Sequence, residues 1–234
     1  GRLSRRKPCQ VLHFQMDLEE LKRASKEKHA TITAYILALM FVSCNNALHD
    51  KKGDISIQVP VNMRKFYPSN TLRNFSMYCG IRLPAYRITG VNEILDDISR
   101  QLNEKTSEEA MRNMMYATEK TVSLLRFIPL AVKAPLAKIV FGFLGDRVFT
   151  STLSNLGVVR MPEGMEERLD HMDFVLGTAH INRASCGMVT FQSTVVLSIS
   201  KMTADSSFES MLQAQLAADG ISSLKIFGSE LYGN

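Results

Sequence analysis

A row of hydroxyl groups is the densest set of chemically useful side chains in this sequence. Thr150, Ser151, Thr152 and Ser154 follow one another in an apolar, β-branched segment that ends at Gly157. Because successive side chains of a strand face opposite ways, Thr150, Thr152 and Ser154 are predicted to share one face. Two interpretations fit this row. One is an edge strand with a solvated face, which the sequence alone favours; the other is a strand whose hydroxyls line a substrate channel.

Histidine is the commonest general base, and one of the five histidines has a carboxylate at a suggestive spacing. His13 and Asp17 form an HxxxD pattern. Asp17, however, directly precedes an amphipathic helix, and Glu20 three residues later completes a capping-box pattern. His13 lies in a run that is predicted to be a strand. We therefore predict that Asp17 is a helix cap and that His13 is structural rather than catalytic.

The remaining histidines have structural explanations of the same kind. His29 and His49 lie near predicted helix ends, where a cation is favoured by the helix dipole. His171 lies in a predicted loop, and His180 on a predicted strand. The sequence contains no nucleophile elbow, no phosphate-binding glycine loop and no paired His/Cys ligand set, so no metal site is predicted. The motifs alone predict no reaction.

Composition restricts the class of protein. The chain has 234 residues, of which 45% are hydrophobic, enough to bury a sizeable core. A net charge of +5 suits an anionic ligand, whereas 8% aromatic residues and no Trp argue against a nucleic-acid surface. Four scattered cysteines without a CxxC motif predict reduced thiols and a cytoplasmic protein: Cys9, Cys44, Cys79 and Cys186. The sequence contains no uncharged apolar stretch of about 18 residues, so no membrane span is predicted.

The elements that must position these side chains form one α/β domain with a mixed, largely antiparallel sheet and packed helices. Residues 1–8 are predicted to be a basic arm. The predicted strands are 9–16, 54–62, 72–83, 148–154, 173–181 and a hairpin of 188–192 with 195–200. The predicted helices are 18–28, 32–48, 91–103, 106–127, 131–144 and 208–218. The second helix is apolar almost all round and is therefore expected to be buried. Ser206 and Glu209 are predicted to cap the last helix.

Four segments resemble, in order and spacing, the second half of the CoA-dependent acyltransferase superfamily. They are residues 14–39, Val59-Pro-Val-Asn-Met-Arg64 with Asn74-Phe-Ser-Met-Tyr-Cys-Gly80, Ser154-Asn-Leu-Gly157, and 187–202 with the helix after it. That superfamily includes condensation domains of peptide synthetases, chloramphenicol acetyltransferase and alcohol acetyltransferases. The resemblance implies a chloramphenicol-acetyltransferase-like half. It also implies transfer of an acyl group from a CoA or carrier-protein thioester to an alcohol or amine.

The sequence departs from the family's pattern at the catalytic histidine. The family's catalytic histidine lies in an HHxxxDG or HxxxD loop of the first half, whereas His13 has no second His beside it and Asp17 no following Gly. The resemblance therefore implies that residues 1–234 are a C-terminal subdomain whose partner is an N-terminal catalytic half absent from this chain. Alone, the chain is expected to be inactive. In the whole enzyme it would form a tunnel wall for a small-molecule acyl donor and acceptor, with no covalently bound cofactor.

Six residues are candidates for substrate binding in that wall: Asn62, Arg64, Asn74, Thr152, Ser154 and Asn155. For Arg64 the alternative is a surface or salt-bridging arginine. For the hydroxyl row and Asn155 the alternative is the capping and turn chemistry of a strand end.

Two other functions remain open from the sequence. One is a relative that binds an acyl or carrier partner without transfer. The other is a membrane-surface protein, because residues 121–149 alternate apolar runs with cationic side chains. We expect this segment instead to be helices packed on the sheet or over an acyl tunnel.

Overall fold

The computed structural model describes residues 5–48, 52–129, 131–135, 149–162, 164–178 and 182–228. Within these residues seven strands form one sheet in the order β3-β2-β4-β5-β6-β1-β7. The strands are β1 Arg5–Asp17, β2 Asp54–Asn62, β3 Ser76–Pro84, β4 Ser151–Val159, β5 Ala184–Phe191, β6 Thr194–Thr203 and β7 Lys225–Gly228. β4 is parallel to β2 and to β5, and the other neighbours are antiparallel. The predicted class, a mixed and largely antiparallel α/β sheet, is confirmed.

Helices cover one face of this sheet. They are α1 Leu18–Glu27, α2 Ile32–Asn46, α3 Val91–Lys105, α4 Glu108–Leu125 and α5 Ser207–Ala218. Every side chain from Ala34 to Phe41 is buried, which confirms the prediction for α2. A helix that is apolar on every side must be surrounded, and α2 packs against α3, α5 and β2. The inward residues of the strands complete this core, among them Ile57, Leu153 and Leu197.

The N-terminus of α1 is hydrogen-bonded to the segment that follows α5. The Asp17 carboxylate accepts hydrogen bonds from the amides of Glu19 and Glu20, so the predicted cap is confirmed. Glu20 does not close a capping box. Its carboxylate instead accepts hydrogen bonds from the Ser222 hydroxyl and from the amide and hydroxyl of Ser223, which lower the Glu20 pKa to about 2. The Asp17 amide in turn donates to Ser223 Oγ at 2.8 Å.

The predicted strand 173–181 is wrong over its described part, which ends at residue 178. This segment has no regular structure and lies across the face of the sheet that the helices leave free. Ser200 Oγ donates a hydrogen bond to the Leu176 carbonyl at 2.6 Å. A Cβ at Gly187 would lie 2.2 Å from the Phe174 carbonyl oxygen, so only glycine permits this approach. The apolar alternation therefore reflects packing onto the sheet rather than strand pairing.

Several element ends also differ from the predictions. The backbone of residues 5–8 belongs to β1 rather than to a separate arm. β3 begins at Ser76 and not at residue 72, and the exposed strand β7 was not predicted. Residues 131–135 are helical, whereas the remainder of the predicted helix 131–144 lies outside the described residues.

The predicted cap of α5 is wrong. Ser206 makes no side-chain cap hydrogen bond, and the carboxylate of Asp205 accepts the Ser207 amide at 2.9 Å instead. Glu209 is not available for a capping box because it pairs with Lys201 in the interior. A charge on an inward helix face needs a buried partner, and that requirement outweighs the local sequence pattern.

Candidate functional site

The hydroxyl row lies inside the sheet and not at its edge. β4 has β2 on one side and β5 on the other, so the edge-strand interpretation is wrong. The alternation of the row is as predicted. Leu153 belongs to the core beneath the helices, and Ser151 Oγ donates to the Ala184 carbonyl at 2.7 Å. Thr152 and Ser154 consequently belong to the opposite, outer face of the sheet.

Strands β2, β4 and β5 are parallel, and the candidate residues lie along β4 and in the segment that begins at the carboxyl end of β2. Pairing of β4 with β5 continues to Val159, opposite Phe191. Pairing of β4 with β2 consists of two positions, Ile57 with Ser151 and Gln58 with Thr152. Beyond Thr152 these two described strands are no longer joined by the ladder. The carboxyl halves of β2 and β4 are therefore not paired with each other in the sheet.

Thr152 is the centre of a polar contact on the outer face. Its hydroxyl donates to Gln58 Oε1 at 3.3 Å and accepts from Asn182 Nδ2 at 3.4 Å, while its side chain is almost buried. Both partners were missed in the sequence. Gln58 could have been found, because it alternates with the inward residues Ile57 and Val59 of β2. Asn182 could not, because its position depends on the chain that crosses between β4 and β5.

Asn155 lies at the point where β4 bends. Its amide nitrogen donates to Thr33 Oγ1 at 3.0 Å, next to the start of α2, and its Oδ1 accepts from the Gly157 amide at 2.8 Å. Gly157 has φ of +75°, a conformation that favours glycine. The contacts of Asn155 are thus those of a strand end, while Ser154 beside it is half-buried on the outer face.

The other three candidates belong to the loop between β2 and β3. Asn62 Oδ1 accepts from the Arg64 amide at 3.1 Å. Arg64 Nη2 donates to the carbonyls of Thr71 and Arg73 at 2.6 and 3.0 Å, which closes the loop. Asn74 Oδ1 accepts from the Ser76 hydroxyl at 2.7 Å.

Arg64 therefore closes this loop, and its guanidinium forms no salt bridge within the described residues. Its guanidinium also lies 5.9 Å from the centre of the Phe75 ring. Asn62 ends β2. The register between β2 and β4 places the loop after Asn62 at the level of the bend of β4. No hydrogen bond or ion pair joins the two groups of candidates within the described ranges.

A serine, a histidine and an aspartate meet elsewhere on the outer face. His13 Nδ1 lies 2.9 Å from Ser198 Oγ and 3.7 Å from Asp173 Oδ1, and its ring stacks on Phe227. Asp173 also approaches His171 at 3.7 Å. In a catalytic triad the base uses one ring nitrogen for the nucleophile and the other for the carboxylate. Here both partners face the same nitrogen, and Ser198 is fully buried, so the geometry does not fit a triad.

The other ionisable candidates do not join the site. His29 is exposed after α1, and His49 and His180 lie outside the described residues. Among the residues that the structure describes, no group of His, Cys, Asp and Glu could hold a metal ion. In the same ranges no helix has the length and apolar character needed to cross a membrane.

The fold is that of CoA-dependent acyltransferases. A trichothecene 15-O-acetyltransferase from Fusarium sporotrichioides superposes with a TM-score of 0.63 at 12% identity, over 94% of this chain and 47% of that one. F. sporotrichioides TRI101, solved with coenzyme A and T-2, gives 0.60 at 12% identity over 96% and 52%. The wax ester synthase/diacylglycerol acyltransferase from Marinobacter aquaeolei VT8 gives 0.58 at 12% identity over 95% and 52%.

The model of the alcohol acetyltransferase family matches residues 5–123, about half of the sequence, and the chain belongs to that family. No curated protein sequence matches it significantly. The chain spans about half the length of the solved structures that it resembles.

Proposed function

We propose that this chain is the C-terminal half of an acyltransferase that moves an acyl group from a CoA or carrier-protein thioester to an alcohol or amine. The family match carries this proposal. The structural likeness supports it, because the relatives with this fold are about twice as long as the chain. In this proposal the chain supplies a wall of the substrate tunnel, and a histidine of the other half is the base.

The chemistry of the outer face supports this division of labour. The described side chains that bond to Thr152 are the amides of Gln58 and Asn182, and an amide does not accept a proton as a general base. Hydroxyls and amides do bind the polar parts of a substrate. The side chains around Thr152 can thus position a ligand, and in this proposal the proton acceptor belongs to the other half.

In the proposed reaction, the base of the other half takes the proton of the acceptor hydroxyl or amine. The acceptor attacks the thioester carbonyl carbon, and the tetrahedral intermediate expels the thiolate, which takes up a proton. A positioned base contributes about 10²–10⁴-fold to such a step. Donors aimed at the oxyanion contribute a similar factor. Thr152 and Ser154 would hold the substrate against the wall, while Asn155 and Arg64 would shape its rim.

Replacing Thr152 in the full-length enzyme tests this role. Thr152→Val keeps the shape of the side chain and removes the hydroxyl. We expect acyl transfer to fall about tenfold, the scale of one lost hydrogen bond to a bound substrate. Thr118→Val is the matched control, because Thr118 Oγ1 bonds to its own helix on the exposed side of α4. Equal rates for the two variants, both folded, would remove Thr152 from the site.

His13→Ala separates this proposal from a base within the chain. The variant should retain most of the turnover of the full-length enzyme, because His13 contacts Ser198 and Asp173 in a geometry that does not fit a triad. A loss of more than about a hundredfold, the low end for removal of a general base, would place the active site at His13 instead.

A further inference from the structure

The second half of α4 and the turn after it carry large apolar side chains that no described part of the protein covers. Tyr116, Val122, Leu124, Phe127 and Val132 are all more than half exposed, and Phe127 reaches 87%. We call these five residues, with the cations among them, the α4 patch. So many large apolar groups within 17 residues are unusual for a free protein surface.

The position of α4 explains this exposure. Its first half is anchored to the core through Met111, which is 1% exposed, and through the half-buried Met114 and Met115. From Tyr116 to Phe127 all side chains except Leu125 are exposed. The helix therefore extends past the core. Over this described stretch it does not lie packed on the sheet, and packing over an acyl tunnel, the other arrangement expected from the sequence, stays a prediction.

Cations outnumber acids in and beside the patch. Residues 116–133 contain Lys120, Arg126 and Lys133 against the single acid Glu119. This segment thus has a net charge of +2 (three minus one). Lys120 and Arg126 are exposed.

The apolar groups and the cations alternate instead of forming separate zones. Tyr116, Lys120 and Leu124 are spaced four residues apart, so they lie on one face of the helix. The cores of protein–protein interfaces are depleted in lysine, because its ammonium group is costly to desolvate. At a bilayer surface, by contrast, apolar groups enter the headgroup region while lysine and arginine pair with anionic lipids.

We propose that the α4 patch docks on the surface of an anionic phospholipid bilayer. Phe127, Leu124 and Val122 would enter the headgroup region, and Lys120 and Arg126 would contact lipid phosphates. This inference does not depend on acyl transfer, because it is drawn from the exposure and charge of the α4 patch and not from Thr152 or its partners.

Vesicle co-sedimentation of the purified full-length protein tests the proposal. The probes are vesicles of phosphatidylcholine alone and of phosphatidylcholine mixed with phosphatidylglycerol. We expect binding to the mixed vesicles and much weaker binding to phosphatidylcholine. Binding should also fall as salt is raised, because the Debye length is only about 8 Å at physiological ionic strength. Equal binding to both vesicles, or none to either, would overturn the proposal.

Two double variants locate the surface. Leu124→Ser with Phe127→Ser removes the apolar groups, and Lys120→Glu with Arg126→Glu reverses the charge. Each cation near an anionic membrane is worth about fivefold in binding, so the charge variant should bind at least about tenfold more weakly. Tyr86→Ser with Arg87→Glu is the matched control, since both residues are exposed in the turn after β3.

The control should bind like the unmodified protein, and circular dichroism should give the same melting curve for all the variants. Equal loss in the control and the α4 variants contradicts the proposal. So does a chain that forms dimers through Leu124 and Phe127 and ignores vesicles, because the patch would then be a protein interface.

Discussion

The four cysteines differ in their surroundings, and the difference predicts how they react. Cys44, Cys79 and Cys186 are buried, and burial raises the pKa of each thiol, that of Cys44 to about 12. Cys9 is half-buried in β1. Because the thiolate is the reactive form, a disulfide reagent added to the native protein should modify Cys9 first. Three further thiols should react only after denaturation. Rapid modification of two or more in the native state would contradict this.

The carboxylate of Asp205 should make the stability of the protein depend on pH in acid. Burial alone would raise the pKa of Asp205, but its hydrogen bonds to Ser207 and the charge of Arg183 outweigh it and lower the pKa from 3.8 to about 2. A carboxylate with a depressed pKa stabilises the folded state above its unfolded pKa, and this contribution is lost as pH falls through the folded value.

The variant Asp205→Asn should therefore be less stable than the unmodified protein at neutral pH. The difference in the free energy of unfolding should shrink between about pH 4 and pH 2. Urea denaturation at several pH values measures it. The control substitution is Lys22→Gln, because the ion pair between Lys22 and Glu19 is exposed. This substitution should have no comparable effect on stability. A constant difference down to pH 2 would show that Asp205 acts through packing and not through its charge.

At the scale of elements, a buried ion pair joins α5 to the sheet. Lys201 of β6 contacts Glu209 of α5, and the two side chains are 2% and 8% exposed. Lys201 contacts Oε1 of Glu209, and Oε2 has no hydrogen-bond partner among the described residues. Removing one member of a buried pair leaves an uncompensated charge and typically costs about 3–5 kcal/mol, whereas replacing both with apolar groups is often neutral.

We therefore expect Lys201→Met and Glu209→Leu each to lower the free energy of unfolding by several kcal/mol, about 3–5. The double variant should be close to the unmodified protein. Chemical denaturation of the four proteins gives the coupling energy directly. Additive losses in the double variant would mean that the two charges act independently.

The elements also differ in how far they could be predicted from the sequence. β2 follows from a local alternation, because Ile55, Ile57 and Val59 face the core with polar residues between them. The segment 173–178 has a similar alternation, but it packs on the outer face and pairs with no described strand. β7 consists of four exposed residues without an apolar pattern, and its pairing with β1 is a non-local contact.

In the candidate site, too, local features were predictable from the sequence and non-local contacts were not. The strand period predicts correctly that Thr152 and Ser154 share a face. The contacts of Thr152 with Gln58 and Asn182 could not be predicted from a local pattern. Gln58, for example, is 94 residues away in sequence and is brought to Thr152 by the parallel pairing of β2 and β4. His13 and Asp173 are likewise distant, so their contact was not predictable.

At the scale of the whole molecule, the sheet order and the family match lead to one architecture. The helices bury one face of the sheet around α2, and the segment 171–178 covers part of the other face. The polar candidates lie along β4 and in the segment that begins at the carboxyl end of β2. The solved relatives are about twice as long, which is the basis for the proposal that a second half meets this chain.

The most direct test of that proposal is thioester consumption by the isolated 234 residues and by the full-length protein, measured with acetyl-CoA and a small alcohol. The isolated chain should fold but stay at the background rate, and the full-length protein should transfer the acyl group. Acyl transfer by the isolated chain at an enzyme-like rate would contradict the account, because the base would then have to lie among residues 1–234.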